Sequence, residues 1–366
     1  MTSTDRTILW GLWGTGRQAH ELALDFRHVT GARLHAVGSR SVERAQAFAQ
    51  RHAAPTHHGS LQALLGDPAI DVVYLASPNA RHLEDSLACI EAGKAVLCEK
   101  PFALDAAQAT AIAAAARQRR VFCMEAMWTR FIPAVAEARR LVAAGALGRI
   151  ERIEGDFGYP AAPSAADARF SPAAGGGALL DRGVYLLSLA QQLLGEPVSV
   201  AASARIGPTG VDEHSACQLG YADGAVAQLS ASLTSLGRNE LVITGDRGRL
   251  CLHAPFYRAH RLSLVASPVP VASADGPPSW RSRLRDASTL KRLRRQLEPL
   301  AAMRSPLRGH RHVFAGNGYQ FELQEVVRCL QRGALESEIM PLDDSIAVMA
   351  IADRVRAQWA ARPEHA

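Results

Sequence analysis

The chain has no apolar run approaching the roughly 20 residues that span a bilayer, and its polar start, Met1 to Thr7, lacks the charged-then-apolar order of a secretory leader. No membrane association is expected, and the expected location is cytoplasmic. The six cysteines (Cys89, Cys98, Cys123, Cys217, Cys251 and Cys329) form no CxxC pair and lie scattered in apolar runs. That scatter excludes zinc spacing and a disulfide framework, so no metal site is expected and the thiols read as reduced core residues. The formal net charge of +6 also lacks the distribution of a nucleic-acid surface. Ten Lys/Arg against Asp286 and Glu298 are concentrated between Arg281 and Arg311, which leaves the rest of the chain slightly acidic. Within Trp280 to His312 only Trp280 breaks the run. Without interleaved aromatics this segment reads as an exposed helix and loop, in preference to a lid or a nucleic-acid contact.

What is present is the balance of a globular protein, with 48% hydrophobic and 21% charged residues, and a length of 366 residues that suits two domains. The first part alternates β-rich apolar runs (Ile8 to Trp13, Leu34 to Gly38, Val72 to Ala76, Ala95 to Glu99) with helical patterns from Gly16 to His28, Val42 to His52 and Arg81 to Ala92. Repeated βαβ units predict a doubly wound parallel Rossmann sheet over residues 1–125. Beyond Phe122 to Glu125 and a helix over Pro133 to Ala144 the rhythm changes. Ile150 to Gly158, Val198 to Ile206, Ser215 to Tyr221, Ala225 to Leu233 and Glu240 to Thr244 read as strands, with turn residues from Tyr221 to Gly224. They predict a C-terminal α+β domain, residues 126–366, with a large, mostly antiparallel open sheet. Closing helices are expected over Tyr319 to Leu330 and Asp344 to Trp359. A sheet with one face left open predicts a homodimer or larger homo-oligomer.

The first strand runs into Gly14-Thr15-Gly16-Arg17-Gln18-Ala19, a GxGxxA turn at a strand-to-helix junction. Gly14 makes the tight turn, Gly16 admits a pyrophosphate, Ala19 allows close helix packing, and the helix start offers free N–H groups. The second strand ends at Gly38-Ser39-Arg40, where an NAD-selective site would carry an acid for the ribose hydroxyls, and none is there. Ser39 and Arg40, with Arg44 one turn on, suit a 2′-phosphate instead, so the cofactor expected is NADP.

At the carboxyl end of the strand Ala95 to Glu99 stand Glu99-Lys100-Pro101, at the sheet edge where open α/β folds bind ligands. A second cluster, Gly175-Gly176-Gly177 to Asp181-Arg182-Gly183-Val184-Tyr185, puts Asp181 and Tyr185 four residues apart. Lys100, Asp181 and Tyr185 are the candidate catalytic residues. Tyr185 would exchange the proton of a reacting hydroxyl while the Lys100 ammonium lowers its pKa, and Asp181 would hold Lys100 or bind substrate hydroxyls.

With these motifs in order, the chain resembles the Gfo/Idh/MocA oxidoreductases over nearly its whole length. Within them it is most similar to the dimeric dihydrodiol dehydrogenases and NADP-dependent D-xylose dehydrogenases, through Met124 to Phe131, Arg169-Phe170 and Gly316-Asn317-Gly318-Tyr319. The resemblance implies that Ser77-Pro78-Asn79 and His82 line the cofactor pocket and that the Lys100-Pro101 bond is cis. It also implies an NADP-dependent exchange of hydride with a hydroxyl-bearing carbon of a sugar or cyclic diol, or with the matching carbonyl. Trp128, Arg130 and Arg169 are weaker substrate-pocket candidates, equally readable as packing or ion-pair residues. Arg182 departs from the family pattern: turned outward it is a surface charge, turned inward it signals an anionic substrate, and the outward orientation is the expectation. Two further readings stay open, a ketosugar reductase acting on a phosphorylated or nucleotide-linked sugar and a non-catalytic dinucleotide sensor.

Overall fold

A computed structural model describes residues 6–164, 167–267 and 308–360. The first sheet is built from β1 (Ile8–Trp13), β2 (Ala32–Gly38), β3 (Thr56–His58), β4 (Val72–Leu75), β5 (Ala95–Glu99) and β6 (Cys123–Ala126). All six strands run parallel in the order β3-β2-β1-β4-β5-β6. Every residue of β4 and β5 is buried, as a strand covered by helices on both faces requires. The covering helices are α1 (Arg17–Asp25), α2 (Val42–Arg51), α3 (Leu61–Leu65), α4 (His82–Glu91) and α5 (Ala106–Arg119). Ser41, Ser60 and Asp105 each accept a backbone N–H at the start of α2, α3 and α5, caps that contribute about 1 kcal/mol apiece.

After α6 (Pro133–Ala143), begun by a proline at its first turn, the chain enters a second sheet. Its strands are β7 (Ile150–Gly158), β8 (Ser199–Ile206), β9 (Asp212–Gly220), β10 (Val226–Ser232), β11 (Leu241–Gly245), β12 (Gly248–Leu252), β13 (Arg261–Ala266) and β14 (Arg308–Arg311), in the order β14-β13-β12-β11-β7-β10-β9-β8. All neighbours are antiparallel except β7 and β10. Period-two burial sets the faces: Leu241 and Ile243 point to the core, Val242 and Thr244 to the open side. α7 (Val184–Leu194) lies on the covered face, preceded by a wide π-type turn, Leu179–Gly183. The closing helices are α8 (Gln320–Gln331) and α9 (Leu342–Ala360).

α9 packs on α5 of the first sheet and on α7 and β8 of the second. Asp353 accepts the Ala106 N–H at 2.9 Å and Arg356 donates to the Leu104 carbonyl at 2.6 Å, so this helix ties the two layers together. No helix among the described residues is long and apolar enough to cross a membrane. The basic stretch expected as helix and loop falls mostly outside the described residues, and Arg308–Arg311 at its end is the edge strand β14. Four cysteines are buried as expected. Cys217 and Cys251 are partly exposed, which corrects the core reading for those two.

Candidate active site

β1 delivers Gly14 into the turn with φ +115°, and a Cβ there would stand 2.6 Å from the Ala76 carbonyl oxygen, so only glycine fits. A Cβ on Gly16 would meet nothing within 4 Å, which leaves room for a ligand. α1 starts after Gly16 with no side chain capping its N–H groups, and Ser77 Oγ on the adjoining loop is buried without a hydrogen-bond partner. Free amides, open space and an orphaned hydroxyl fit a dinucleotide pyrophosphate. Thr15 lies in the turn, and Arg17, Arg40 and Arg44 are exposed, their side chains unpartnered among the described residues. Ser39 follows β2, with its N–H on the His58 carbonyl at 3.1 Å and its Oγ accepting from Ser41 N at 3.3 Å.

The loop after β4 carries Ser77, Pro78 and Asn79. Asn79 Nδ2 donates to the Gly175 carbonyl at 3.0 Å and so holds the glycine run of the second cluster against the first domain. His82 starts α4. It is wholly buried, with Nδ1 2.8 Å from the Pro101 carbonyl and Nε2 3.0 Å from the Ser77 carbonyl, and burial pushes its pKa below the ordinary value. Its ring pins the loop to Lys100-Pro101. The Lys100-Pro101 bond is cis. Glu99 is buried, accepting the Tyr74 hydroxyl and the Lys100 N–H, with its pKa raised by burial.

Lys100, Asp181 and Tyr185 converge. The Lys100 ammonium donates to the Asp181 carbonyl at 2.8 Å and to Asp181 Oδ1 at 3.2 Å, and it lies 5.0 Å from the centroid of the Tyr185 ring. Burial works against its charge, but Tyr185, Asp181 and Glu99 together outweigh burial and hold the lysine pKa above its usual value. The ammonium meets the face of the tyrosine ring; the Tyr185 hydroxyl is held by Trp128 Nε1, which donates to it at 3.1 Å. Burial is the largest influence on the phenol and raises its pKa to about 12, while Lys100 and the Trp128 N–H pull it down. The expected net lowering is therefore corrected: Lys100 acts in the expected direction, and burial wins.

Two runs of contacts join this trio to the dinucleotide turn. In one, Gly14 lies against Ala76, and the next residue, Ser77, is linked through His82 to Pro101. In the other, Gln18 Nε2 donates to the Tyr319 hydroxyl at 3.2 Å, Tyr319 stacks on Trp128 at 4.7 Å between centroids, and Trp128 holds Tyr185. Asp25, buried at the end of α1, accepts the N–H groups of Asn317 and Tyr319 at 2.9 Å and so seats the Gly316-to-Tyr319 loop. Sequence reasoning missed an aromatic wall: Phe157 lies 5.3 Å from Tyr185 and stacks on Tyr257 at 4.6 Å, with Tyr159 at its edge.

The arginines divide by position. Arg130, with a side chain wholly buried, donates to Asp344, Ser188, Gln191 and the Ile339 carbonyl, which removes it from the substrate pocket. Arg130→Ala is expected to cost about 3–5 kcal/mol in a denaturant titration, because it strips a buried, multiply bonded cation from its network. Arg169 is part-exposed and paired with Asp167, whose carboxyl it holds below the usual range. Arg182 turns inward, contrary to expectation. The carbonyls of Tyr159, just past β7, and Ser232, the last residue of β10, need donors; Arg182 Nη1 supplies both, with its guanidinium 5.9 Å from the Phe157 centroid and Nε 3.6 Å from Asp181. It is buried beside Asp181.

Fold and contacts define a two-domain protein with a dinucleotide-binding Rossmann sheet set against a second, mostly antiparallel sheet. Residues 8–127 match the model of an oxidoreductase family with an NAD-binding Rossmann fold, and residues 135–251 match the GFO/IDH/MocA C-terminal domain. The chain belongs to the Gfo/Idh/MocA family of oxidoreductases. It is 33% identical to trans-1,2-dihydrobenzene-1,2-diol dehydrogenase of Xenopus laevis, over 95% of this chain and 97% of that protein. Its fold matches levoglucosan dehydrogenase in complex with NADH and levoglucosan (TM-score 0.79, 24% identity, 96% and 97% coverage). It also matches a 3-ketoreductase from Actinomadura kijaniata with NADP and TDP-benzene (TM-score 0.78, 23% identity, 97% and 98% coverage).

Proposed function

We propose that this protein is an NADP-dependent dehydrogenase or reductase that works on a hydroxyl-bearing carbon of a sugar or cyclic diol, or on the corresponding carbonyl. The observation that carries the reading is the Lys100 ammonium, fixed by Asp181 over the Tyr185 ring at the carboxyl end of β5. Residues 1–125 serve as the cofactor domain and 126–366 as the substrate and oligomerisation domain. The Gly14-to-Gln18 turn, Ser77, Pro78 and Asn79 hold the dinucleotide, and Ser39, Arg40 and Arg44 take its 2′-phosphate. When bound, the nicotinamide supplies or accepts the hydride. Tyr185 donates its proton to the carbonyl oxygen in reduction and recovers it from the hydroxyl in oxidation. Lys100 stabilises the phenolate left behind, and Asp181 keeps Lys100 in place and accepts from substrate hydroxyls. The aromatic wall of Trp128, Phe157 and Tyr257 packs around Tyr185 and borders a ring-shaped substrate at its hydroxyl.

The relative of known sequence named above is a diol dehydrogenase by name, which supports this substrate class. A phosphorylated or nucleotide-linked sugar finds less support, since Arg182 Nη1 is taken by two carbonyls. A purified sample incubated with NADP or NADPH and a panel of sugars, cyclic diols and ketones should change nicotinamide absorbance with at least one of them. Tight NADPH binding with no turnover across the panel would favour the sensor. For cofactor choice, Arg40→Ala should lower the ratio of kcat/KM with NADP to that with NAD by about 10–100-fold, the worth of a charged hydrogen bond; unchanged selectivity would remove the 2′-phosphate assignment. We also assign the open face of the second sheet to a second copy of the chain. Mixed charges there, such as Arg152 beside Glu154 at 3.1 Å, suit a polar contact, and light scattering on the purified protein reads the assembly directly.

A further inference from the structure

On the open side of the second sheet, toward its β14 edge, three side chains of different chemistry face one another. The register pairs Leu241 with Leu252 and Val242 with Cys251, which places Glu240, just before β11, opposite His253, just after β12. Cys251 lies two residues before His253 and so shares its face of the sheet. His253 Nδ1 is 3.2 Å from Glu240 Oε1 and 3.8 Å from Cys251 Sγ, and one ligand atom from each residue lies within 4.8 Å of the others.

The two separations from His253 Nδ1 are close to edges of a coordination tetrahedron. With metal–nitrogen and metal–oxygen bonds of about 2.0 Å and a metal–sulfur bond of about 2.3 Å, the nitrogen–oxygen edge is roughly 3.3 Å and the nitrogen–sulfur edge roughly 3.5 Å. The other ring nitrogen, His253 Nε2, is held by Ser263 Oγ at 2.7 Å on the neighbouring strand, which fixes the ring and leaves Nδ1 toward the other two ligands. An imidazole–carboxylate pair alone would give Cys251 no place in the geometry, yet its sulfur lies within reach of the same nitrogen. A thiolate and a carboxylate also neutralise a dication among the nearby Arg238, Arg249 and Arg261.

We propose that Glu240, Cys251 and His253 form a three-ligand site for a borderline transition-metal dication such as Zn2+, with its fourth position left to a water molecule or an added ligand. The C-x-H spacing is no zinc motif in sequence; the third ligand arrives only through strand register. The site stands apart from Lys100, Asp181 and Tyr185, whose chemistry has no need of it.

Full-length protein, stripped with a chelator and dialysed, is titrated with Co2+ and then with Zn2+. The expected result is about one Co2+ per chain, with a thiolate-to-metal charge-transfer band and the visible bands of a tetrahedral ion, all erased by Zn2+. Cys251→Ser should abolish the charge-transfer band, and Ser263→Ala, which touches no metal, should weaken binding by about 10-fold. Far-ultraviolet circular dichroism of both variants should match the unaltered protein, so that a lost signal reports the ligand and not the fold. Absence of the thiolate band in the unaltered protein, or its survival in Cys251→Ser, overturns the proposal.

Discussion

Lys100→Met should lower kcat by about 10²–10⁴-fold, the range in which a positioned acid–base system contributes, while the protein keeps its fold. The side chain is removed from between Asp181 and the Tyr185 ring. Asp181 retains partial exposure, 27% of its side chain, and buried Glu99 keeps the Tyr74 hydroxyl and the backbone N–H of residue 100 as donors, so the stability loss should stay near 1–2 kcal/mol. The phenol then loses the one nearby cation that pulls its pKa down, and burial pushes it further up. Steady-state kinetics with NADP or NADPH should show the loss in kcat, with KM for the cofactor little altered, because the dinucleotide turn is untouched. A variant retaining more than a tenth of the original kcat would mean that the ammonium only packs against the ring.

Tyr185→Phe should lower kcat over the same range of about 10²–10⁴-fold. The ring remains against Phe157 and Tyr257, and the chief structural loss is the acceptor of the Trp128 N–H, worth about 1 kcal/mol. The pH dependence separates this from a packing effect. With the phenol pKa near 12 in the free protein, the base form is scarce at neutrality, so oxidation should speed up as pH rises, log kcat gaining roughly one unit per pH unit. Reduction uses the protonated phenol, present throughout the neutral range, and should be flat there. In Tyr185→Phe the rising limb should vanish. The linkage sign follows: a folded pKa raised from 10 to about 12 favours the neutral phenol, so its contribution to stability is full below pH 10 and is lost as pH climbs toward 12. Equal pH slopes in the two proteins would remove Tyr185 from proton transfer.

Much of this was legible in the sequence because it is local. β5 and β7 have the limits that their apolar runs suggest, and the turn from Gly14 to Ala19 lies at a strand-to-helix junction as its pattern requires. β3 went unread because three residues carry too little periodicity, and α5 because its alanine-rich sequence shows no apolar stripe. In the site, Lys100, Asp181 and Tyr185 could be found as motif residues, whereas the aromatic wall depends on topology: Trp128, Phe157, Tyr257 and Tyr319 are far apart in the chain and meet only after both sheets form. The Gly316-to-Tyr319 motif was visible as a signature, but its service to Asp25 was not. The orientations of His82, Arg130 and Arg182 were likewise beyond reach. A residue's type states what partners it needs, and only the fold says whether carbonyls such as those of Ser77 and Ser232 are near enough to supply them.

The bond between Asp25 and the amide of Tyr319 spans 294 positions of the chain. On the ribosome the first βαβ unit emerges early, yet the carboxylate at the foot of α1 waits for almost the entire polypeptide before its donors arrive. A truncated product ending ahead of Gly316 would carry the complete phosphate turn and every acid–base residue but lack the stacked ring that braces Trp128. The bracing of Trp128 against Tyr185 is thus a late event in biosynthesis.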